Sequence, residues 1–294
     1  MSEPASTRSA SSARTTAASG GRIARRFREL SEAGELGLVA YVTAGDPSLD
    51  ATERIVIAAA KAGADVIELG VPFSDPVADG PTIQRASERA LRAGTTLAGV
   101  LELVRRLRLH TDVPLVLFSY FNPILQMGLE KFAATAAQAG ADGVLATDLT
   151  LEEAGEYRAI MRSHALDTIF LVAPTSTNSR IEQIANASCG FLYVISRAGV
   201  TGAREALPAA LPTLVRRVRM YTKLPIAVGF GISLPTHVTV LGGIADAAVV
   251  GSALVAAIEE APSPTAAAEA VAARIRILKQ AAREGVSRRQ QEGS

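Results

Sequence analysis

Eight short, almost wholly apolar runs divide this chain: 38–43, 64–69, 114–120, 143–147, 168–173, 191–196, 225–230 and 247–251. None alternates polar with apolar residues as a strand with one wet face would. Each therefore reads as a strand buried on both faces, the habit of parallel sheets. Between most of them lie Ala-, Leu-, Arg- and Glu-rich stretches with helical spacing, for example 49–61, 129–138 and 151–163. A short unit recurs where helix hands back to strand: Ala62-Gly63-Ala64-Asp65, Ala139-Gly140-Ala141-Asp142 and Gly243-Ile244-Ala245-Asp246. Its glycine is expected in the left-handed conformation that ends a helix, and its aspartate opens the next strand. Eight strand–helix units in 294 residues predict an α/β fold of the closed (β/α)8 kind, eight parallel strands ringed by helices. An open doubly wound sheet is the alternative, but no Gly-x-Gly-x-x-Gly follows the first run.

The barrel is expected to be one catalytic domain over residues 21–284. Residues 1–20 are almost entirely Ser, Ala, Thr, Arg and Gly, which cannot form a packed core and read as a disordered tail. Residues 285–294 read as a polar fray. The tail has the composition of a plastid transit peptide too, so a stromal location stands beside the cytoplasmic one that the absence of an apolar leader favours. Residues 224–245 carry no formal charge, but Pro225, Pro235, Gly229, Gly231, Gly242 and Gly243 interrupt them, which argues for buried strands and loops and against a membrane span.

Several classes of function are disfavoured. The net charge is +1, so no overall field draws nucleic acid or membrane. The single cysteine, Cys189, forbids an internal disulfide. His110, His164 and His237 are scattered, which gives a structural zinc site no support. Tryptophan is absent and aromatic residues make up 4%, thin for stacking single-stranded bases.

In such a barrel the chemistry sits at the C-terminal ends of the strands. Glu68 stands out there, a carboxylate inside the apolar run Val66-Ile67-Glu68-Leu69. It is either a satisfied internal ion pair or a group whose burial raises its pKa for acid–base work near neutrality. The loop that follows, 70–81, is rich in Pro, Gly and Asp; its Asp79 reads as a turn residue or as a second carboxylate facing the site. After the seventh run comes Gly229-Phe230-Gly231-Ile232-Ser233, and after the eighth Gly251-Ser252-Ala253-Leu254. These two loops are where barrels hold phosphate with backbone N–H groups and a helix start. Residues 196–204 are small and Gly-rich, as in a lid that orders over ligand or an ordinary surface loop. Tyr193, inside the sixth run, is core filler or a polar tip directed at the site.

The stretch Glu68-Leu69-Gly70-Val71-Pro72-Phe73-Ser74-Asp75-Pro76, continuing through Ala78-Asp79-Gly80-Pro81, resembles the signature of the tryptophan synthase alpha chain family. So do Tyr41-Val42-Thr43-Ala44-Gly45-Asp46-Pro47, the segment 196–202 and Gly229-Phe230-Gly231-Ile232-Ser233, and the likeness runs in order from about Ile23 to Ala257. The resemblance implies a lyase that cleaves indole-3-glycerol phosphate to indole and glyceraldehyde 3-phosphate in tryptophan biosynthesis. A stand-alone lyase releasing free indole is the alternative. By the same resemblance Glu68 is the general acid/base, Asp79 the carboxylate facing the indole N–H, and Tyr193 the tyrosine beside Glu68. Gly202, Gly231, Gly251 and Ser252 match the phosphate cradle with Gly229 and Phe230 beside it, and Tyr41, Tyr120 and Thr201 match wall or lid positions. Asp75 and Asn122 match an interface with a pyridoxal phosphate-bearing beta chain in an α2β2 assembly, while the alpha chain itself is expected to use no cofactor or metal. The sequence departs from the family pattern at Thr147 and Thr150, where prolines usually flank Asp-Leu, and at Tyr41, where many relatives have Phe.

Overall fold

The computed structural model describes residues 20–196 and 206–292. All strands are parallel and form one sheet in the order β5-β4-β3-β2-β1-β9-β8-β7-β6. They are β1 (Gly37–Thr43), β2 (Val66–Gly70), β3 (Leu115–Ser119), β4 (Gly143–Ala146), β5 (Asp167–Thr168), β6 (Leu171–Val172), β7 (Leu192–Ile195), β8 (Ile226–Gly229) and β9 (Ala247–Val250). The predicted run 168–173 is thus two short strands. Asp167–Thr168 pairs with β4 and Leu171–Val172 with β7. Between them the Ile169 N–H still bonds Val144 O at 3.0 Å, and Phe170 O accepts from the Tyr193 N–H at 3.3 Å. One stave turns from one neighbour to the other, so the two ends of the sheet meet there and the barrel closes with the eight staves expected.

The helices are α1 (Arg22–Ala33), α2 (Leu49–Ala62), α3 (Pro81–Arg92), α4 (Leu97–Leu107), α5 (Phe121–Met127), α6 (Leu129–Ala139), α7 (Gly155–Ser163), α8 (Asn178–Ala187), α9 (Leu211–Arg219), α10 (Pro235–Leu241), α11 (Ser252–Glu259) and α12 (Pro264–Glu292). Helix α2 illustrates why they form. Ser48 accepts the Ala51 N–H as N-cap, and Ala51, Thr52, Ile55, Val56 and Ala59 make one buried stripe. Gly63 ends it at φ 107°.

Two cores follow from strand alternation. Outward residues such as Leu38, Ala40, Ile67 and Leu117 pack beneath the helices. Inward ones such as Val39, Val66, Val116 and Leu145 fill the barrel. Helix α1 plugs the N-terminal end with Ile23, Phe27 and Leu30, the Phe27 ring lying 5.7 Å from that of Phe191.

The repeated unit does more than stop helices. Asp65 accepts the Leu38 N–H at 2.6 Å, Asp142 the Leu115 N–H at 2.8 Å and Asp246 the Ile226 N–H at 2.6 Å. Each carboxylate also holds a cation: Lys279 and Arg26 on Asp65, Arg108 and Arg22 on Asp142, Arg219 on Asp246. Gly63 and Gly140 are left-handed as expected, at φ 107° and 92°. The third copy corrects the expectation. Gly242, the C-cap of α10, is right-handed at φ −54°, and neither it nor Gly243 is among the positive-φ glycines. Gly242 is small for another reason: a Cβ there would stand 3.0 Å from the carbonyl carbon of Gly285 on α12. Gly285 likewise faces Thr239 O, 2.3 Å from where its own Cβ would be. This close crossing lies within a helix that runs on to Glu292, whereas the sequence suggested a fray from 285.

Candidate active site

Strand alternation carries Val66 and then Glu68 to the barrel interior, Glu68 one layer nearer the C-terminal mouth. Glu68 is 0% exposed, and neither of its carboxylate oxygens has a hydrogen-bond partner among the described residues. Burial alone pushes its pKa up to about 8.

Asp79 arrives from the loop after β2, one residue before Gly80 caps α3. Its Oδ2 accepts from the Tyr120 hydroxyl at 3.2 Å, and that hydroxyl accepts the Ala78 N–H at 2.9 Å. Gln84 Nε2 donates to Asp79 O at 2.9 Å, and the Tyr120 ring lies 5.0 Å from that of Phe73. Burial raises the Asp79 pKa to about 6, against the hydrogen bond from Tyr120, which lowers it. Near pH 7 Glu68 is therefore mostly protonated and Asp79 mostly ionised, a division of roles between two carboxyls by environment.

Two tyrosines complete the interior layer. Tyr41 is in register with Glu68 on the neighbouring strand. Its hydroxyl lies 2.1 Å from where a Cβ on Gly70 would be, and Tyr193 makes the same approach to Gly229, also 2.1 Å. Glycine at both positions is what admits the phenols. Burial first, and the carboxylates nearby, raise both phenol pKa values, so the hydroxyls stay protonated and able to donate. Gly229, expected beside the phosphate, serves here as the seat of Tyr193.

Between the staves that carry Tyr41 and Tyr193, the wall is made by the loop after β8 and the start of α11. Phe230 is left-handed at φ 69° and Gly231 follows at 82°. The Ser196 hydroxyl donates to Phe230 O, and the Phe230 ring meets Tyr193 edge-on at 6.0 Å. The Ser233 N–H donates to His237 Nδ1 at 3.3 Å, while Ser233 Oγ is buried with no partner among the described residues. Gly251 precedes Ser252, the first residue of α11, whose leading N–H groups have no acceptor within the helix.

Tyr41, Glu68, Asp79, Tyr193, Phe230, Gly231, Gly251 and Ser252 line one cavity. Tyr120 is the holder of Asp79 and is not among the lining residues. Thr201 and Gly202 lie outside the described residues. Asp75 and Asn122 are exposed on the loop after β2 and on α5, away from the cavity. Sequence reasoning missed Ile83, Phe118, Ile232, Ser233 and Val249, which also line it. For Phe118 and Val249 the signal was available, since both are inward residues near strand ends. The Thr147–Thr150 turn, despite lacking prolines, is tied down: Asp148 Oδ1 accepts the Phe121 N–H at 2.7 Å and Thr150 Oγ1 donates to Glu153 at 3.1 Å.

A wider hollow crosses the N-terminal face around α1, where Asp142 and Asp246 already hold their cations. Among the described residues no cluster of three or more His, Cys, Asp or Glu is placed to hold a metal ion. No helix of the described residues is long and apolar enough to cross a membrane.

Residues 27–284 match the family model described as tryptophan synthase alpha chain. The alpha chain of Solibacter usitatus is 56% identical over 239 residues, covering 81% of this chain and 90% of that one. The alpha chain of Citrifermentans bemidjiense is 55% identical over 234 residues, covering 80% and 88%. Among solved structures, tryptophan synthase of Mycobacterium tuberculosis superposes with TM-score 0.83 at 36% identity over 90% of this chain and 98% of that one. The alpha chain of Legionella pneumophila gives 0.82 at 35% identity over 90% and 98%. With this barrel and a family match over most of its length, the chain belongs to the tryptophan synthase alpha chain family.

Proposed function

We propose that this chain, as the lyase component of tryptophan synthase, cleaves indole-3-glycerol phosphate by a retro-aldol step at the cavity between Glu68 and Gly251. The observation that carries the reading is the pair of carboxyls in one cavity, Glu68 unpartnered and protonated, Asp79 tethered and ionised. The protonated Glu68 gives its proton to indole C3, which leaves a cationic indolenine. Asp79 accepts the ring N–H and stabilises that charge. The Glu68 carboxylate then takes the proton of the side-chain hydroxyl on the carbon bonded to C3. As that oxygen becomes a carbonyl, the carbon–carbon bond breaks and its electron pair returns to the ring. Indole and glyceraldehyde 3-phosphate result, and Glu68 ends protonated, ready for another cycle. The Tyr193 hydroxyl, held protonated beside Glu68, is a donor to the same oxygen.

By the sequence motif alone Gly202 belongs to the phosphate cradle and Thr201 to its rim; among the described residues the phosphate is assigned to Gly231, Gly251 and Ser252. Their backbone N–H groups and the α11 start suit an anion without Lys or Arg. The chain itself contributes acid–base and electrostatic groups; pyridoxal phosphate belongs to the beta chain in this reading. Asp75 and Asn122, exposed on two top-face segments, are assigned to contacts with that beta chain in an α2β2 assembly.

Indole release from indole-3-glycerol phosphate, measured with and without a beta chain, tests the reading. Gly251→Asp is the sharper phosphate probe than a change at Gly231. Gly251 has negative φ and its Cβ site has 3.4 Å to the Tyr41 ring, so a side chain fits, whereas Gly231 is left-handed. A new carboxylate there should raise KM at least tenfold, because it competes with phosphate for the same N–H groups. Unchanged KM would place the phosphate elsewhere, and no cleavage by wild type would end the proposal.

A further inference from the structure

Phe230 poses a problem that the reaction alone does not answer. It is one of two non-glycine residues with positive φ among the described residues, the other being Ala165, and it stands in the loop proposed to receive the phosphate. An aromatic side chain at φ 69° is strained and persists only where its surroundings hold it. Three restraints are visible. The Ser196 hydroxyl donates to the Phe230 carbonyl. The Ser196 N–H donates to Gly229 O at 2.9 Å, one peptide earlier in the same loop. The Phe230 ring packs edge-on against Tyr193, which stands three residues before Ser196 on the same stave. Ser196 is itself 4% exposed, so its hydroxyl is shielded from competing water.

We infer that Ser196 is a positioning residue for phosphate: by clasping the Phe230 carbonyl it keeps the left-handed Phe230–Gly231 pair in the conformation that presents the loop to the anion. The inference rests on the phosphate assignment made above and deepens it. Ser196 touches no reacting atom; it acts through the backbone of Phe230.

The test is a kinetic cycle on the chain assayed with its beta chain. Ser196→Ala should raise KM for indole-3-glycerol phosphate roughly two- to tenfold, the span of one lost hydrogen bond, with kcat within about twofold. The unphosphorylated indole-3-glycerol should show no such loss, because the clasp acts only through the phosphate loop. In a Phe230→Gly background, where glycine adopts positive φ freely, Ser196→Ala should add less than twofold. Phe230→Asn, whose side chain tolerates the left-handed region, serves as a second background if the glycine variant folds poorly. Equal losses on phosphorylated and unphosphorylated substrates, or equal losses in the wild-type and Phe230→Gly backgrounds, would overturn the inference. Gly251→Asp separates the two levels. If it raises KM and Ser196→Ala does not, the clasp alone fails; if neither does, the phosphate assignment itself is wrong.

Discussion

Asp65 stands immediately before β2 and Glu68 three residues on, at the middle of that strand, and both are essentially sealed from solvent, at 2% and 0% exposure. At the N-terminal end Asp65 is crowded with donors: the Leu38 N–H, Lys279 Nζ at 2.6 Å and the Arg26 guanidinium at 2.6 Å. One layer further toward the C-terminal mouth, Glu68 has none among the described residues. A buried carboxylate with every lone pair satisfied is a rivet, and removing it strands its cations. A buried carboxyl with no partner remains protonated and is poised to exchange that proton. What separates structural from chemical acidity in this barrel is the company each group keeps, since burial is common to both.

The largest expected effect breaks the chemical end. Glu68→Gln keeps the shape and cannot carry a proton, so turnover should fall ~10²–10⁴-fold. The same change should stabilise the fold. With a folded pKa near 8 against an ordinary value of about 4.3, the folded chain keeps a proton that the unfolded chain has lost between those limits. Wild-type stability should therefore decline as pH rises through that window and level off above it, by on the order of a few kcal/mol. Glu68→Gln should abolish that share of the decline, which melting curves from pH 4 to 9 would reveal. An unchanged pH profile of stability would mean Glu68 is not protonated in the folded chain.

Breaking the structural end should reverse the pattern. Asp65→Ala leaves Lys279, 7% exposed, without its closest partner, and should cost about 3–5 kcal/mol of stability. Urea denaturation gives the loss; kcat of the protein that remains folded should stay within about twofold. A collapse of kcat at unchanged stability would contradict the division drawn here.

A smaller effect is expected at Tyr120, which supplies the one hydrogen bond that a described side chain makes to the Asp79 carboxylate. Tyr120→Phe removes the interaction that holds the Asp79 pKa down, so that pKa should climb above about 6. The acid limb of kcat/KM should move to higher pH, with the rate at pH 7.5 reduced roughly two- to tenfold. An unmoved acid limb would remove Asp79 from that ionisation.

The smallest concerns the exception at the structural end. Asp167, at the start of β5, makes no side-chain hydrogen bond among the described residues, and burial, with Asp142 adding to it, raises its pKa to about 6. Asp167→Asn should gain about 1 kcal/mol above that pH, where the folded chain otherwise carries an ill-solvated charge, and gain nothing below pH 4. Activity should not change. A loss of stability at pH 8 would show that Asp167 has found a cation after all.

The residues that could be recognised in advance are those whose local context is anomalous. A glutamate within Val66-Ile67-Glu68-Leu69 is conspicuous, and so are glycines at strand ends such as Gly231 and Gly251. The strand runs were visible because burial on both faces leaves them almost without polar residues, so the few that remain stand out. The split of the run 168–173 was hidden, because nothing in its composition says which neighbour each half will pair with. Tyr120 was placed as a wall residue because its bond to Asp79 spans 41 positions of sequence. The third unit was misread at Gly243, which is not left-handed, and the reason for the small residue beside it was hidden: Gly242 meets Gly285, on a helix 43 residues away, and a small residue required by a distant backbone looks like one required by a local turn. Ser233 was read only as the last residue of the Gly229–Ser233 loop, with no role of its own, since a hydroxyl's lack of partners is a property of three dimensions.

Asp79 stands just before α3 and Gly251 just before α11, and the bodies of these two helices pack together. Arg85 and Arg89 on α3 both grip Glu259 at the far end of α11, at 2.7–2.9 Å, while Arg89 also holds Asp46 through two bonds of 2.8 Å. The paired arginines keep the Glu259 carboxyl down to about 2, so the lock stays charged throughout the neutral range. The spacing between Asp79 and Gly251 is thus fixed like the jaws of a caliper, by two braced rods. With the proposed phosphate at Gly251 and the proposed indole at Asp79, a molecule too short to reach from one jaw to the other would gain one grip and forfeit the other, and the frame would measure length before the chemistry begins.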